Sequence, residues 1–186
     1  MKVLGIAGSI RRDSWNEKLL ESAAELLPAG AELELWDGLK EVPPYNEDDD
    51  VEPATAPVAR LRAAIAGADA VLVATPEYNS SIPGVLKNAI DWASRPLATN
   101  VLRNRPVAVV GASIGAFGAV WAQAELRKVL AATGARVVEG EVAVGHASER
   151  FDADGALTDE ELREQLAEVV ELLVAEAQPR QALAAA

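Results

Sequence analysis

The chain has 186 residues, a length that predicts one domain at the usual figure of about 100–200 residues per domain. It carries 17 Lys and Arg against 29 Asp and Glu, a net charge of −12 that repels phosphate backbones and anionic lipid headgroups, so neither nucleic acid nor a membrane surface is expected as a partner. It has no cysteine and one histidine, His146, which excludes disulfides, thiolate nucleophiles, iron–sulfur clusters and cysteine-based zinc sites, and we expect no bound metal.

We expect a cytoplasmic protein. The absence of cysteine fits a reducing compartment. The apolar run before Ser9 is too short for a signal peptide. The uncharged stretch Pro106–Ala124 contains three glycines, so it is interpreted as a buried strand, a loop and the start of a helix rather than a membrane span.

Short apolar runs alternate with segments of helical period along the whole chain. Ser14 and Glu17 have capping-box spacing before the first helix, and Thr158 and Glu161 have it before the last. In the first half we predict strands Lys2–Ala7, Ala31–Trp36 and Ala70–Thr75, helices Asn16–Leu27 and Pro57–Ala66, and a long acidic loop Asp37–Ala56. In the second half we predict strands Val107–Val110 and Arg136–Val144, and helices 84–93, Ala119–Ala132 and Asp159–Ala177.

Five strands alternating with five helices predict a parallel sheet covered on both faces, a doubly wound α/β three-layer sandwich. We expect residues 1–177 to form a single domain and residues 178–186 to fray. Such folds bind ligands outside the carboxyl ends of the strands, where the strand order reverses. The loops after strands one, three and four are therefore the candidate site.

The loop after the first strand, residues 8–16, has the composition of an anion site. Its sequence, GSIRRDSWN, combines a glycine, two hydroxyls and two guanidiniums with the start of a helix. Backbone N–H groups at a helix start bind phosphate, and Arg11 or Arg12 can add a charge-assisted hydrogen bond. The alternative is an ordinary turn in which Ser14 only caps the helix. No Walker or GxGxxG pattern is present, so a mononucleotide fits better than a dinucleotide held in the Rossmann manner.

The loops after the third and fourth predicted strands also contain functional groups that a simple turn does not need. Residues 75–84, TPEYNSSIPG, carry two prolines and Tyr78, and offer amides and an aromatic face to a flat heteroaromatic ring. Residues 111–119, GASIGAFGA, are small, so a ring can approach the backbone closely and hydrogen-bond to Ser113. The alternatives are a plain turn with Tyr78 on the surface, and tight packing of a helix on the sheet.

These segments resemble one family. GSIRRDSWN resembles the GSxRxxSxN phosphate loop of the NADPH-dependent FMN reductases, PEYNSSIPGVLKNAIDW resembles their second signature, and PPYNEDDD resembles the motif after their second strand. The similarity runs from Met1 to about Ala177 and implies a flavodoxin-like fold that binds FMN with the three loops. The residues it implies are Ser9, Arg11, Ser14 and Asn16 at the phosphate, Pro76, Glu77, Tyr78 and Asn79 along the ribityl chain and isoalloxazine, and Ser113 and Gly115 at the ring.

The resemblance implies an FMN-dependent NAD(P)H oxidoreductase. Hydride would pass from NAD(P)H to bound FMN and then to a second acceptor, namely free flavin, a quinone, an azo compound or an oxidised metal ion. The cofactor carries this chemistry, so no catalytic side chain is expected. Glu77 as a general acid is weighed against a loop-shaping role through its backbone, and the lone His146 is expected to be structural or on the surface rather than catalytic.

Two rival functions remain open at this point. One is a dedicated quinone or azo reductase. The other is a flavodoxin-type FMN electron carrier that does not oxidise NAD(P)H itself. A carrier shields its flavin, whereas a reductase needs an open ring face, and the small residues of the third loop favour the open face.

A homodimer, or a dimer of dimers, is the expected assembly, and the family resemblance is its main support. The loop PPYNEDDD lies beside the ligand edge and places Tyr45 and Asn46 among prolines. Trp92 and Trp121 follow the ligand loops and are candidates for the core or for subunit contacts.

Overall fold

A single parallel sheet organises the computed structural model, which describes residues 1–178. Within those residues the strands are β1 Lys2–Ala7, β2 Glu32–Trp36, β3 Ala70–Thr75, β4 Pro106–Ala112, β5 Arg136–Val137 and β6 Ala143–Val144. They lie in the order β2-β1-β3-β4, and β5 and β6 both pair with β4 along its outer edge. The predicted parallel sheet is confirmed.

The strand order reverses at β1. The chain passes from β1 to β2 on one side and then crosses to β3 on the other side of β1. Open α/β sheets bind ligands at such a reversal, outside the carboxyl ends of the strands. The loops that follow β1, β3 and β4 therefore open at the same edge.

Helices cover both faces of the sheet. They are α1 Trp15–Leu26, α2 Ala56–Ala66, α3 Gly84–Ala93, α4 Val120–Ala132 and α5 Glu160–Ala177. The side chains of α1 and α5 share one buried cluster with Leu72, whereas those of α2, α3 and α4 share the other cluster with Val71 and Val73. Alternating strand residues thus feed two cores, as expected for a strand buried on both faces. The doubly wound α/β fold is confirmed.

The fifth strand is not the continuous strand predicted over Arg136–Val144. Its ladder is interrupted between β5 and β6, where Gly140 adopts a φ of 137°. Arg127 spans the gap, because its Nη2 donates to Gly140 O at 2.6 Å and to Val109 O at 3.1 Å. Burial lowers the pKa of Arg127, and the neighbouring Glu141 opposes that shift. A side-chain clamp therefore replaces part of the strand pairing.

The two helix caps differ in their agreement with the sequence pattern. Ser14 caps α1 as predicted, and its Oγ accepts a hydrogen bond from Asn16 N. The start of α5 was predicted wrongly, since Asp159 rather than Thr158 is the cap and accepts from Leu162 N. Thr158 instead donates its hydroxyl to Arg150 O.

The acidic loop between β2 and α2 packs against α3. Pro43 O accepts hydrogen bonds from Asn88 Nδ2 and Trp92 Nε1, at 2.7 and 2.8 Å. The Tyr45 ring packs edge-on against Trp92 with centroids 4.9 Å apart. Trp92 is 1% exposed. Of its two expected roles the structure gives Trp92 the core, so Trp92 does not support a subunit interface.

The structure also bears on the expectations about membrane spans and about the C-terminal tail. Within residues 1–178, no helix is long and apolar enough to cross a membrane. The tail predicted to fray begins at Gln178, whose N–H donates to Ala175 O, and its remaining residues lie outside the described part of the chain.

The Arg127 clamp makes a testable contribution to stability. We expect Arg127→Met to lower the free energy of unfolding by about 1.5–3 kcal/mol, because hydrogen bonds to a charged group are lost and the carbonyl of the buried Val109 loses this donor. Lys128→Met is the matched control, since Lys128 is exposed and has no partner within residues 1–178. Urea unfolding of the three proteins measures both changes. Equal stabilities would contradict the role of the clamp.

Candidate functional site

The loops after β1, β3 and β4 meet around a cleft of about 640 Å³. Ligand pockets for small molecules have volumes of roughly 300–1,000 Å³, so the cleft has room for a nucleotide-sized ligand. Its lining residues are Ser9, Arg11, Ser14, Trp15, Asn16, Pro76, Glu77, Tyr78, Ala112, Ser113, Ile114 and Ser148. Polar groups lie mainly at the first loop, and apolar groups lie at the second and third.

The first loop offers free hydrogen-bond donors to an anion. Within residues 1–178, the backbone N–H groups of residues 12–15 have no acceptor, and Arg11 N donates only to Ser9 Oγ at 3.3 Å. The Arg11 guanidinium donates to Arg12 O and Asp13 O, at 2.9 and 2.6 Å, so it lies against the same loop. Unsatisfied N–H groups beside a helix start form an anion site. These features fit the phosphate of FMN.

Asn16 has a structural role that the sequence did not reveal. The resemblance implies that it binds phosphate, but its buried side chain is held by the backbone of Ala112. Asn16 Nδ2 donates to Ala112 O and Ala112 N donates to Asn16 Oδ1, each at 2.9 Å. Asn16 therefore ties the first loop to the end of β4, and it also lines the cleft, so its part in binding phosphate stays a prediction.

Glu77 is likewise engaged by the protein. Its Oε2 accepts hydrogen bonds from Trp121 N and Ala122 N, both at 3.1 Å. The residue before α4, Ala119, adopts a φ of 64° and has no polar side chain, so it cannot cap the helix. The carboxylate of the second loop supplies that cap. The structural role of Glu77 thus runs through its side chain and not through its backbone as expected, and the engaged carboxylate favours that role over general acid catalysis.

Asn79 and Gly115, two of the implied FMN-binding residues, do not line the cleft. Asn79 and Ser80 both have positive φ, and Tyr78 and Ser81 exchange two backbone hydrogen bonds of 3.1 Å around them. This geometry is a type I′ turn, which favours Asn for conformational reasons. Gly115 O accepts from His146 N at 3.0 Å, so its backbone ties the third loop to the segment after β6.

His146 lies in the segment after β6. This residue adopts a φ of 50° at the start of a short 3-10 turn, Ala147–Glu149. His146 is exposed and lines a neighbouring cavity of about 320 Å³ instead of the cleft, so a structural or surface role stays the prediction for it.

Four residues that line the cleft were not among the predicted site residues, and one of them, Ala112, is the partner of Asn16. Ile114 lies within the third loop, and Ser148 reaches the cleft from the turn after β6. Trp15 stacks on Phe151 with centroids 5.5 Å apart and an interplanar angle of 25°. Trp15 could have been found because it occupies the first turn of the helix that follows the phosphate loop. Ser148 could be found only by extending the topology argument to the last strand.

Comparisons with known proteins agree with this architecture. Residues 1–149 match the sequence profile of the family described as NADPH-dependent FMN reductase. An NAD(P)H-dependent FMN reductase from Pseudomonas aeruginosa is 44% identical over 174 residues, which cover 93% of each chain. A 2-hydroxy-1,4-benzoquinone reductase from Burkholderia sp is 40% identical over 168 residues, 89% of this chain and 90% of that protein.

A solved structure supports the same assignment. FerB, a flavoenzyme NAD(P)H:(acceptor) oxidoreductase from Paracoccus denitrificans, aligns with a TM-score of 0.81 at 36% identity. The alignment covers 94% of this chain and 98% of the FerB chain.

The phosphate site predicts different consequences for two adjacent arginines. Arg11 lines the cleft, whereas Arg12 does not. We expect Arg11→Ala to weaken FMN binding about ten- to a hundred-fold, the value of a hydrogen bond to a charged group, and to leave riboflavin binding unchanged. Arg12→Ala is the control and should change neither affinity. Fluorescence titrations with both ligands measure these effects, and an unchanged FMN-to-riboflavin preference in Arg11→Ala would refute the assignment.

The two roles considered for Glu77 predict different kinetics. As a helix cap, Glu77→Ala should lower the free energy of unfolding by about 1 kcal/mol. Glu77→Gln keeps an oxygen acceptor and should preserve kcat for NAD(P)H oxidation. Loss of a general acid would instead reduce kcat by about 10²–10⁴-fold. Stopped-flow and steady-state rates of Glu77→Gln separate the two roles.

Proposed function

This chain belongs to the NADPH-dependent FMN reductase family, and from that premise we propose that it delivers electrons from NAD(P)H to a quinone. It is an FMN-dependent NAD(P)H oxidoreductase. We further propose which residues form the site, that the acceptor is a quinone, that the chain forms a homodimer, and that it is located in the cytoplasm.

Different residues of the cleft would bind different parts of the cofactor. FMN, when bound, supplies the hydride chemistry that no side chain of the chain provides. The free N–H groups of residues 12–15 and the Arg11 guanidinium would hold its phosphate, because they offset a dianion in a chain of net charge −12. Pro76, Tyr78 and Ser113 would line the path of the flavin on the second and third loops. Orientation, rather than acid–base catalysis, is the contribution of the protein.

The proposal that the acceptor is a quinone rests on the open, apolar entrance of the cleft. Tyr78 is 53% exposed and Ile114 is 72% exposed, yet both line the cleft. A flat, apolar acceptor can stack in such a mouth and leave again, as alternating use of one site by two substrates requires. An electron carrier would shield this edge, so its openness argues against the flavodoxin-type alternative. The relatives named as quinone reductases add support.

The choice of acceptor can be measured directly. We expect NADPH to bleach the flavin absorbance of the holoprotein in the absence of oxygen, and a benzoquinone to restore it with a higher kcat/KM than free FMN, an azo dye or chromate. Steady-state assays with each acceptor at equal NADPH give the ranking. A ranking led by free FMN would overturn the quinone, and a flavin that neither NADPH nor NADH bleaches would overturn the reductase.

We also propose that the chain forms a homodimer through the aromatic surface beside the cleft. Phe117 is 63% exposed and packs edge-on against the half-exposed Trp121 at 5.0 Å. This exposed aromatic pair lies beside the second loop, because Trp121 N donates to Glu77, and it leaves Ile114 and Tyr78 free at the mouth of the cleft. Exposed apolar clusters of this kind are typical of interaction sites. We place the protein in the cytoplasm, a reducing compartment suited to a chain without cysteine.

The proposed interface predicts the size of the particle. At micromolar concentration we expect sedimentation to show a species of twice the 19.6 kDa chain mass. Phe117→Glu should shift it to the monomer, because a charge is then buried at the interface. Leu172→Glu is the control, since Leu172 is 51% exposed on α5. A wild-type protein that sediments only as a monomer would contradict the dimer.

A further inference from the structure

A second cavity lies beside the cleft, on the β2 side of the first loop. It has a volume of about 450 Å³ and is bounded by the first loop, the end of β2 and the turn that follows. Ser9 and Arg11 line both this cavity and the cleft. The two spaces therefore adjoin each other around the first loop.

The cavity is lined by basic side chains that have no partner within residues 1–178. Among the Lys and Arg side chains of residues 1–178, Arg12, Lys40 and Lys128 make no hydrogen bond, ion pair or ring contact. Two of these three, Arg12 and Lys40, line this cavity. Unpaired cations are unexpected in a chain with 29 acidic and 17 basic residues, where carboxylate partners are abundant.

The local charge balance favours an anionic ligand. Arg11, Arg12 and Lys40 line the cavity together with two carboxylates, Glu17 and Asp37. The lining is positive by one charge when Arg11 is counted and neutral when Arg11 is assigned to the FMN phosphate, whereas the whole protein has a net charge of −12. A guanidinium and an ammonium without partners are the groups that bind phosphate, the first with a fork of donors and the second as a point charge.

An aromatic ring lies in the same cavity. Trp36 ends β2, is partly buried, and lines the space with Arg12 and Lys40. Its ring lies directly over Gly38, where a Cβ would be 2.6 Å from Cζ2 of the indole. The absence of a side chain at Gly38 therefore lets the ring occupy this position. A fixed indole provides a surface on which a purine base can stack.

We infer that this cavity binds the adenosine 2′-phosphate part of NADPH. The inference rests on the proposed function, in which NAD(P)H reaches the adjoining cleft. Arg12 and Lys40 bind the 2′-phosphate, and Trp36 lies against the adenine. NADH has a hydroxyl at that position and leaves both cations without a partner. The chain therefore discriminates in favour of NADPH.

Steady-state kinetics with a quinone acceptor provide the first test. Arg12→Ala and Lys40→Ala should each raise the KM for NADPH about ten- to a hundred-fold and leave the KM for NADH and kcat unchanged. Lys128→Ala is the matched control, because it removes the third unpaired cation from α4 and should change neither KM. An equal change in the two KM values, or an effect of Lys128→Ala as large as that of Arg12→Ala, would overturn the inference.

A binding measurement tests the same site without turnover. In calorimetric titrations of the FMN-loaded protein, adenosine 2′,5′-bisphosphate should bind at least about tenfold more tightly than adenosine 5′-monophosphate, and Arg12→Ala and Lys40→Ala should abolish that difference. Equal affinities in the wild-type protein would refute the site. The two proposals fail separately: loss of NADPH and NADH oxidation with a retained 2′-phosphate preference refutes the function, whereas oxidation without that preference refutes only the cavity.

Discussion

The paired hydrogen bonds between Asn16 and Ala112 are the constraint on which the site depends. They join the helix start after β1 to the end of β4, although β3 lies between these strands in the sheet. Because both groups are buried, loss of the Asn16 amide would leave a backbone N–H and a C=O unsatisfied. This pair of hydrogen bonds fixes the start of α1 against β4 and thereby holds the first loop beside the cleft that Ser14 and Trp15 line.

Two further clamps complete this arrangement. Glu77 joins the second loop to the start of α4, and the hydrogen bond between His146 and Gly115 joins the third loop to the segment after β6. Each loop is thus held by a contact with a different part of the chain. In the proposed FMN site these contacts preorganise the cleft, and the redox chemistry is left to the flavin.

Local patterns predict the elements of this fold well where an element is regular. The apolar run of β3 and the helix after Pro83 have the predicted bounds, since burial on both faces and a proline before the first turn are local signals. The fifth strand has the apolar composition of a strand, but the interruption depends on the positive φ of Gly140 and on Arg127 from α4. A contact from another element cannot be inferred from strand composition.

The positions of the site residues are more predictable than their roles. Topology and motif bring Ser9, Arg11 and Tyr78 to one cleft, as expected. Asn16 and Glu77 also reach it, but their partners lie 96 and 44 residues away in the chain. A motif records that a residue type is required and does not say whether the ligand or the fold requires it.

The free amides of the first loop provide the most direct test of the central claim, that this loop binds the FMN phosphate. In ¹H–¹⁵N spectra of the apoprotein, addition of FMN should shift the amide protons of residues 12–15, since each gains a charged acceptor. Riboflavin should shift the amides of the second and third loops and leave residues 12–15 unchanged. Identical shifts of residues 12–15 with both ligands, or none with FMN, would contradict the account.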